Sequence, residues 1–170
     1  MSTSSPVGVG SSEGHPVKVR QLDEMPAIVA RLKRAGREVV FTNGCFDLIH
    51  NGHVRYLAAA RALGDVLLVA VNSDASIRRL KGPSRPITPV AERMELLSAF
   101  WFVDYVFMFE GDDPLSAIES LLPDVLVKGS DWALDEIVGR EVVEANGGRV
   151  ERISLVEGVS TTGILGVVAG

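Results

Sequence analysis

The stretch Thr42-Asn43-Gly44-Cys45-Phe46-Asp47-Leu48-Ile49-His50-Asn51-Gly52-His53 gathers two of the chain's three histidines, its only cysteine, two glycines and an aspartate directly behind the apolar run Val39-Val40-Phe41. His50 and His53 are three apart, so in a first helical turn they share one face. Gly52 between them leaves room for an anion to approach the backbone. Unpaired N–H groups and the positive end of the dipole make a helix N-terminus a natural phosphate site. Two imidazoles over one phosphate would donate hydrogen bonds to an oxyanion, more strongly when protonated. Thr42, Asn43 and Gly44 are expected to leave the strand with small side chains and a free backbone. Three plainer explanations compete. One is a capped turn with incidental histidines. Another is zinc held by Cys45, Asp47, His50 and His53, although structural zinc favours two or more cysteines. The third is that Asp47 only caps a turn, which is compatible with phosphate binding.

Three further clusters carry chemistry. Arg78, Arg79, Lys81 and Arg85 put four positive charges in eight residues, with no acid between Asp74 and Glu92. Singly, Arg78 or Arg79 reads as a solvated helix face; as a set beside a proline-rich loop they read as an anion-binding patch. Arg93 follows on the next helix, where a surface pairing with Glu92 or Glu95 is the alternative. Lys128-Gly129-Ser130-Asp131-Trp132 offers an ammonium for phosphate, a carboxylate for a base or sugar, and an indole for a flat ring or for the core. Gly158-Val159-Ser160-Thr161-Thr162 offers hydroxyls and N–H groups at the start of a last helix.

The elements that must position these groups alternate. A helical pattern runs from Gln21 to near Gly36. Strands are expected at 38–42, 65–71, 103–109, 125–128 and 150–155. Helices are expected at 52–63, 73–80, 90–100, 114–122, 134–146 and, as a short terminal helix, 161–168. Residues 81–89 carry three prolines and must be a loop. The segment Asp65–Val71 is almost continuously apolar, as in a strand buried on both faces of a parallel sheet. Five strands separated by helices, with no internal repeat, predict a Rossmann-like α/β fold: a doubly wound parallel sheet in a single domain. Ligands bind such sheets beyond the carboxyl ends of the strands, where strand order reverses. The clusters at 42–53 and 128–132 both follow strands and so share that edge.

The chain has 170 residues, 46% apolar and 23% charged, with a net charge of −5. That is enough for one domain with a real core, and it argues against non-specific binding of nucleic acid. Residues 1–19 are expected to be a flexible tail rich in Ser, Gly and Pro, with the domain over 20–170. Gly8-Val9-Gly10 is no dinucleotide fingerprint, since no strand precedes it, and His15 is a bystander. The lone Cys45 excludes an intrachain disulfide and fits a reducing compartment. No secretory signal or membrane-length apolar run is present, so a cytoplasmic protein is expected.

The runs FTNGCFDLIHNGH, VNSDASIRRLKGPSRPI, AERMELL, DVLVKGSDW and EGVSTT resemble the heptose 1-phosphate adenylyltransferase family, over about residues 20–168. HNGH looks like the HxGH motif of the wider nucleotidyltransferase superfamily, and VSTT like its C-terminal (I/V)STT element. The resemblance implies that His50 and His53 hold the ATP phosphates and stabilise the transition state, with Lys81 and Arg93 assisting. It implies that Thr42, Asn43, Gly44, Cys45, Phe46, Gly52, Lys128, Gly129 and Asp131 lie along the nucleotide and Ser160, Thr161 and Thr162 near its phosphates. Asp47, Asp74, Arg78, Arg85 and Trp132 fall to the acceptor. Ser130 departs from the glycine usual in KGGD; a position needing positive φ would make serine costly.

The implied reaction joins D-glycero-D-manno-heptose 1-phosphate to ATP, giving ADP-heptose and pyrophosphate. Mg²⁺ is expected with the ATP, its protein ligand unassigned. No nucleophile is needed, so Cys45 is expected only to pack. A homodimer is expected, with Phe100, Trp101 and Phe102 on its surface, as is a separate sugar kinase. Nucleic acid and membrane are not expected partners. The alternatives are a cytidylyltransferase acting on glycerol 3-phosphate or a similar polyol phosphate, and a non-catalytic nucleotide-binding module, which would not need both histidines and the distant Ser-Thr-Thr.

Overall fold

The computed structural model describes residues 18–154. Ser160, Thr161 and Thr162, the expected terminal helix, His15 and most of the expected tail lie outside the described residues.

The strands are β1 (Val39–Gly44), β2 (Val66–Asn72), β3 (Tyr105–Phe109), β4 (Val125–Gly129) and β5 (Arg149–Ile153). The helices are α1 (Met25–Arg34), α2 (Asn51–Arg61), α3 (Asp74–Lys81), α4 (Val90–Ser98), α5 (Leu115–Leu121) and α6 (Arg140–Ala145). The sheet is all parallel, in the order β3-β2-β1-β4-β5. This is the expected Rossmann-like architecture, and the order reverses between β1 and β4.

Period-two alternation along the central strands builds both faces. Val39, Phe41, Leu68 and Phe107 face α1, α5 and α6 through Val29, Ile118 and Val143. Val40, Leu67, Val69, Val106 and Val127 face α2 and α4 through Leu57, Ala60 and Leu97. Burial on both sides explains the unbroken apolar run of β2. Lys18 and Val19, expected in the tail, instead run along β3: Arg20 N–H donates to the Val106 carbonyl and Val106 N–H to the Lys18 carbonyl. They cover the edge of the sheet. No helix of the described residues is long and apolar enough to cross a membrane.

Two differences from the expected elements bear on the site. β1 continues through Asn43 and Gly44, paired with Ala70 and Val71 of β2. The expected helix 134–146 is two pieces, a 3-10 turn at Leu134–Glu136 and α6. Gly139 between them has φ +85°, and a Cβ there would lie 2.5 Å from Ile118 Cδ1, so only glycine lets the chain pass α5 so closely.

β1 and β4 make a short seam. Six Cα pairs register β1 with β2, but only Val40–Val125 and Phe41–Leu126 register β1 with β4. Beyond Phe41 the two strands part. The Val127 carbonyl accepts there from Thr42 Oγ1 at 3.1 Å and Tyr56 Oη at 3.2 Å. Side-chain hydroxyls take over from the backbone ladder, and a cleft opens between the strand ends.

Candidate functional site

The cleft, about 440 Å³, lies at the carboxyl end of the sheet where strand order reverses. Its walls include Asn43, Gly44, Cys45 and Phe46 from the end of β1, His53 from α2, and Lys81 from the end of α3. Lys128, Gly129, Asp131 and Trp132 close it from the β4 side. Parts of the first and third sequence clusters therefore meet, although His50 and Gly52 are not among the lining residues. Lys128 Nζ donates to Asn43 Oδ1 across the parted strands.

The histidines are held by the start of α2. His50 is the N-cap, in extended conformation, and its Nδ1 accepts from Gly52 N–H at 3.1 Å. His53 Nδ1 faces the His50 N–H at 3.4 Å. With both Nδ1 atoms used as acceptors, each neutral ring carries its proton on Nε2. The rings lie 4.0 Å apart between centroids. Burial, joined by the charges of His50 and Lys81, pushes His53 down to about 4, and burial lowers His50 as well. At neutral pH the pair is thus two uncharged N–H donors, not the imidazolium pair that would bind anions most strongly. The helix does not follow the strand at once, because residues 45–50 intervene. In that loop Phe46 takes φ +47° and lays its ring 5.4 Å from that of His53. A Cβ on Gly44 would stand 3.0 Å from Phe46 Cε2, so glycine there makes room for the ring.

Lys128 is largely enclosed; burial pushes its ammonium down to about 8, against the upward pull of Asp131. Trp132 is 48% exposed, at the rim, with the Lys128 ammonium 5.8 Å from its ring centroid. It is a wall of the cleft and not core packing. Ser130 is not among the residues with positive φ, and its N–H donates to the Ile153 carbonyl at 2.9 Å, so serine is not strained there.

Several expected contacts are occupied elsewhere. Thr42 is fully buried and bonds Tyr56 and Val127; it supports the seam and does not line the cleft. Asp47 is 3% exposed. Its carboxylate accepts from Arg85 Nε at 2.5 Å and from the N–H groups of Ile87 and Thr88 at 2.8 and 3.0 Å. Burial alone would raise its pKa, but these donors outweigh it and hold it below the ordinary carboxylate value. Asp47 and Arg85 therefore fasten the 82–89 loop onto the 45–50 loop instead of meeting an acceptor. That also removes Asp47 from the zinc reading, and no metal-holding group of His, Cys, Asp or Glu occurs among the described residues.

The basic patch disperses because α3 fans its side chains around its axis. Arg79 pairs with Asp112 at 2.7 Å, Arg78 is exposed and off the cleft, and Lys81 alone of the four reaches it. Arg93 is no surface residue. It is wholly buried, and its guanidinium is spent on protein oxygens, one of them on Asp74. Of the aromatic trio, Trp101 is 83% exposed but Phe102 is buried, so the three do not form one apolar face.

Sequence reasoning missed Asn72, Ile137 and Val138 on the cleft wall. Asn72 had a signal, a polar residue ending an apolar strand. Ile137 and Val138 were hidden by the helix assigned across them. A Mg²⁺ ion that arrives on a triphosphate keeps phosphate and water ligands and needs only one or two carboxylates. Asp131, exposed on the cleft wall, fits that need.

The cytidylyltransferase-like family matches residues 41–164. The bifunctional protein HldE of Geobacter sulfurreducens is 53% identical over 169 residues, 96% of this chain and 34% of that protein. HldE of Citrifermentans bemidjiense is 50% identical over 169 residues, 96% of this chain and 35% of its own. The chain thus spans about a third of the length of these curated relatives. The crystal structure of the lipopolysaccharide core biosynthesis protein from Thermoplasma volcanium superposes with a TM-score of 0.62 at 31% identity, covering 72% of this chain and 100% of that one.

Proposed function

This chain belongs to the cytidylyltransferase-like family, and we propose, from the runs that resemble the heptose branch, that it transfers an adenylyl group from ATP to a heptose 1-phosphate, releasing pyrophosphate. A phosphate oxygen of the sugar attacks the α-phosphorus in line. The new P–O bond forms as the bond to the β-phosphate oxygen breaks, and pyrophosphate leaves with the electron pair. The sugar phosphate is already anionic, so no protein base is required. The protein brings two polyanions together and stabilises charge on the leaving side. The observation that carries this reading is the close His50–His53 pair, whose Nδ1 atoms are both tied to backbone N–H groups. Their Nε2–H groups donate to phosphate oxygens without prior protonation, and Lys81 and Lys128 supply positive charge. Asp131 would help hold a Mg²⁺ ion carried by the triphosphate, which would supply charge neutralisation there.

The choice of heptose follows the resemblance of the 72–87 and 128–132 runs, and the Thermoplasma relative is a lipopolysaccharide core biosynthesis protein. The enzyme works in the cytoplasm as a homodimer, on the product of a sugar kinase. The test is pyrophosphate release from ATP or CTP with each anomer of manno-heptose 1-phosphate and with glycerol 3-phosphate. ATP with a heptose 1-phosphate is the expected productive pair. Turnover only with CTP and glycerol 3-phosphate would replace it by the polyol cytidylyltransferase. ATP binding with no turnover on any acceptor would leave a binding module. Light scattering of the purified protein checks the dimer.

A further inference from the structure

Four segments around the cleft converge on one buried side chain. Arg93 Nη1 donates to the Cys45 carbonyl at 2.5 Å, and Nε to the Thr88 carbonyl at 2.9 Å. Nη2 donates to the Asn72 carbonyl at 2.9 Å and to Asp74 Oδ1 at 2.7 Å. The guanidinium is fully buried, while the Asp74 side chain is 26% exposed. Two of these bonds lead to segments that line the cleft, the 45–50 loop and α3. Cys45 precedes Phe46, whose ring packs on His53. Asp74 is the first residue of α3, and Lys81 is the last. A helix of this length is a rigid rod of ~12 Å, so anchoring its first residue sets where its last one reaches.

We propose that Arg93 is a positioning residue that fixes the distance between the His50–His53 pair and Lys81, touching neither substrate. The reading rests on the cleft being the phosphate site. Buried ion pairs are weak sources of stability, so stability alone is a poor reason to sink a guanidinium here. What it supplies is a planar fork that binds in several fixed directions at once. A lysine ammonium is a single point on a flexible stem and does not reproduce that geometry.

The test is Arg93→Lys, read first by NMR titration of the histidines in the free protein. The charged and titratable groups around His53 are His50 and Lys81, and the cleft that His53 lines also carries Cys45, Tyr56, Asp112, Asp113, Lys128, Asp131 and Glu136. Once the fork is lost, Phe46 and Lys81 draw away, and His53 titrates clearly above its starting value of about 4. Turnover falls at least about tenfold while the KM for ATP changes far less, the mark of an interaction used in the transition state. Lys33→Ala breaks the Lys33–Asp124 pair at the opposite end of the sheet and is expected to lower stability while leaving the titration in place. If Arg93→Lys does not fold, Asp74→Ala, which cuts only the α3 branch, decides by the same readout. A folded variant whose His53 titration matches the wild type overturns the proposal, whatever its turnover. Because that readout needs no substrate, a wild type that releases no pyrophosphate would end the proposed function without deciding this one.

Discussion

Lowering the pH tests the central feature of the site, that His53 works as a neutral donor. Its imidazole titrates at about 4 against an ordinary 6.5, chiefly because it is buried, with His50 and Lys81 adding repulsion. Between those values the unfolded chain binds a proton that the folded chain refuses. Stability is therefore unaffected above the window and is lost as pH falls through it. The full difference corresponds to about 3 kcal/mol at most. The ring is only partly buried, and solvent screening brings the expected loss nearer ~2 kcal/mol. Denaturant unfolding at neutral pH and near pH 4, on the wild type and on His53→Gln, isolates this contribution. The variant should lose ~2 kcal/mol less than the wild type on acidification, although its turnover at neutral pH collapses. NMR of the free protein should place the His53 titration near 4. A His53 that titrates near 6.5, or an acid profile that His53→Gln leaves unchanged, would refute the reasoning.

Asp47→Ala should cost about 3–5 kcal/mol, because it leaves the largely enclosed Arg85 and the Ile87 and Thr88 N–H groups without their partner; denaturant unfolding measures it, and amide exchange should speed up first at Ile87 and Thr88. Gly44→Ala forces the Phe46 ring to give way by a few tenths of an ångström, so turnover should fall while stability changes by only about 1 kcal/mol. Thr42→Val should cost about 1 kcal/mol and leave the KM for ATP unchanged, since the hydroxyl faces Val127 and Tyr56. Combining it with Tyr56→Phe strands the Val127 carbonyl and should cost more than the two single changes added together, as a double-mutant cycle would report.

The sheet was legible because burial on two faces leaves a continuous apolar signature; the expected strand at 65–71 and the observed β2, Val66–Asn72, differ by one residue at each end. The end of β1 was harder to read. Thr42, Asn43 and Gly44 look like an exit from a strand, yet β2 holds them in register on one side while the other side is open. A half-paired strand has the composition of a loop. The split helix at 134–145 was hidden because Gly139 is needed for a contact with Ile118, and a distant contact leaves no local pattern. The same holds for Asp47 and Arg93. Their residue types suggested ligands, but their partners are backbone groups and side chains 19 or more residues away, apart from the local Thr88 carbonyl. The histidine pair was readable because its geometry is set within a single helical turn.

The short seam between β1 and β4 has an evolutionary corollary. Any change that zipped the two strands further would trade hydroxyl contacts for ladder bonds, making the protein hardier and closing the cleft. Selection for heat tolerance alone would push toward that sealed form. Libraries screened only for thermal survival should therefore collect inactive winners at Thr42, Asn43, Tyr56 and Lys128, the residues that keep the strands apart.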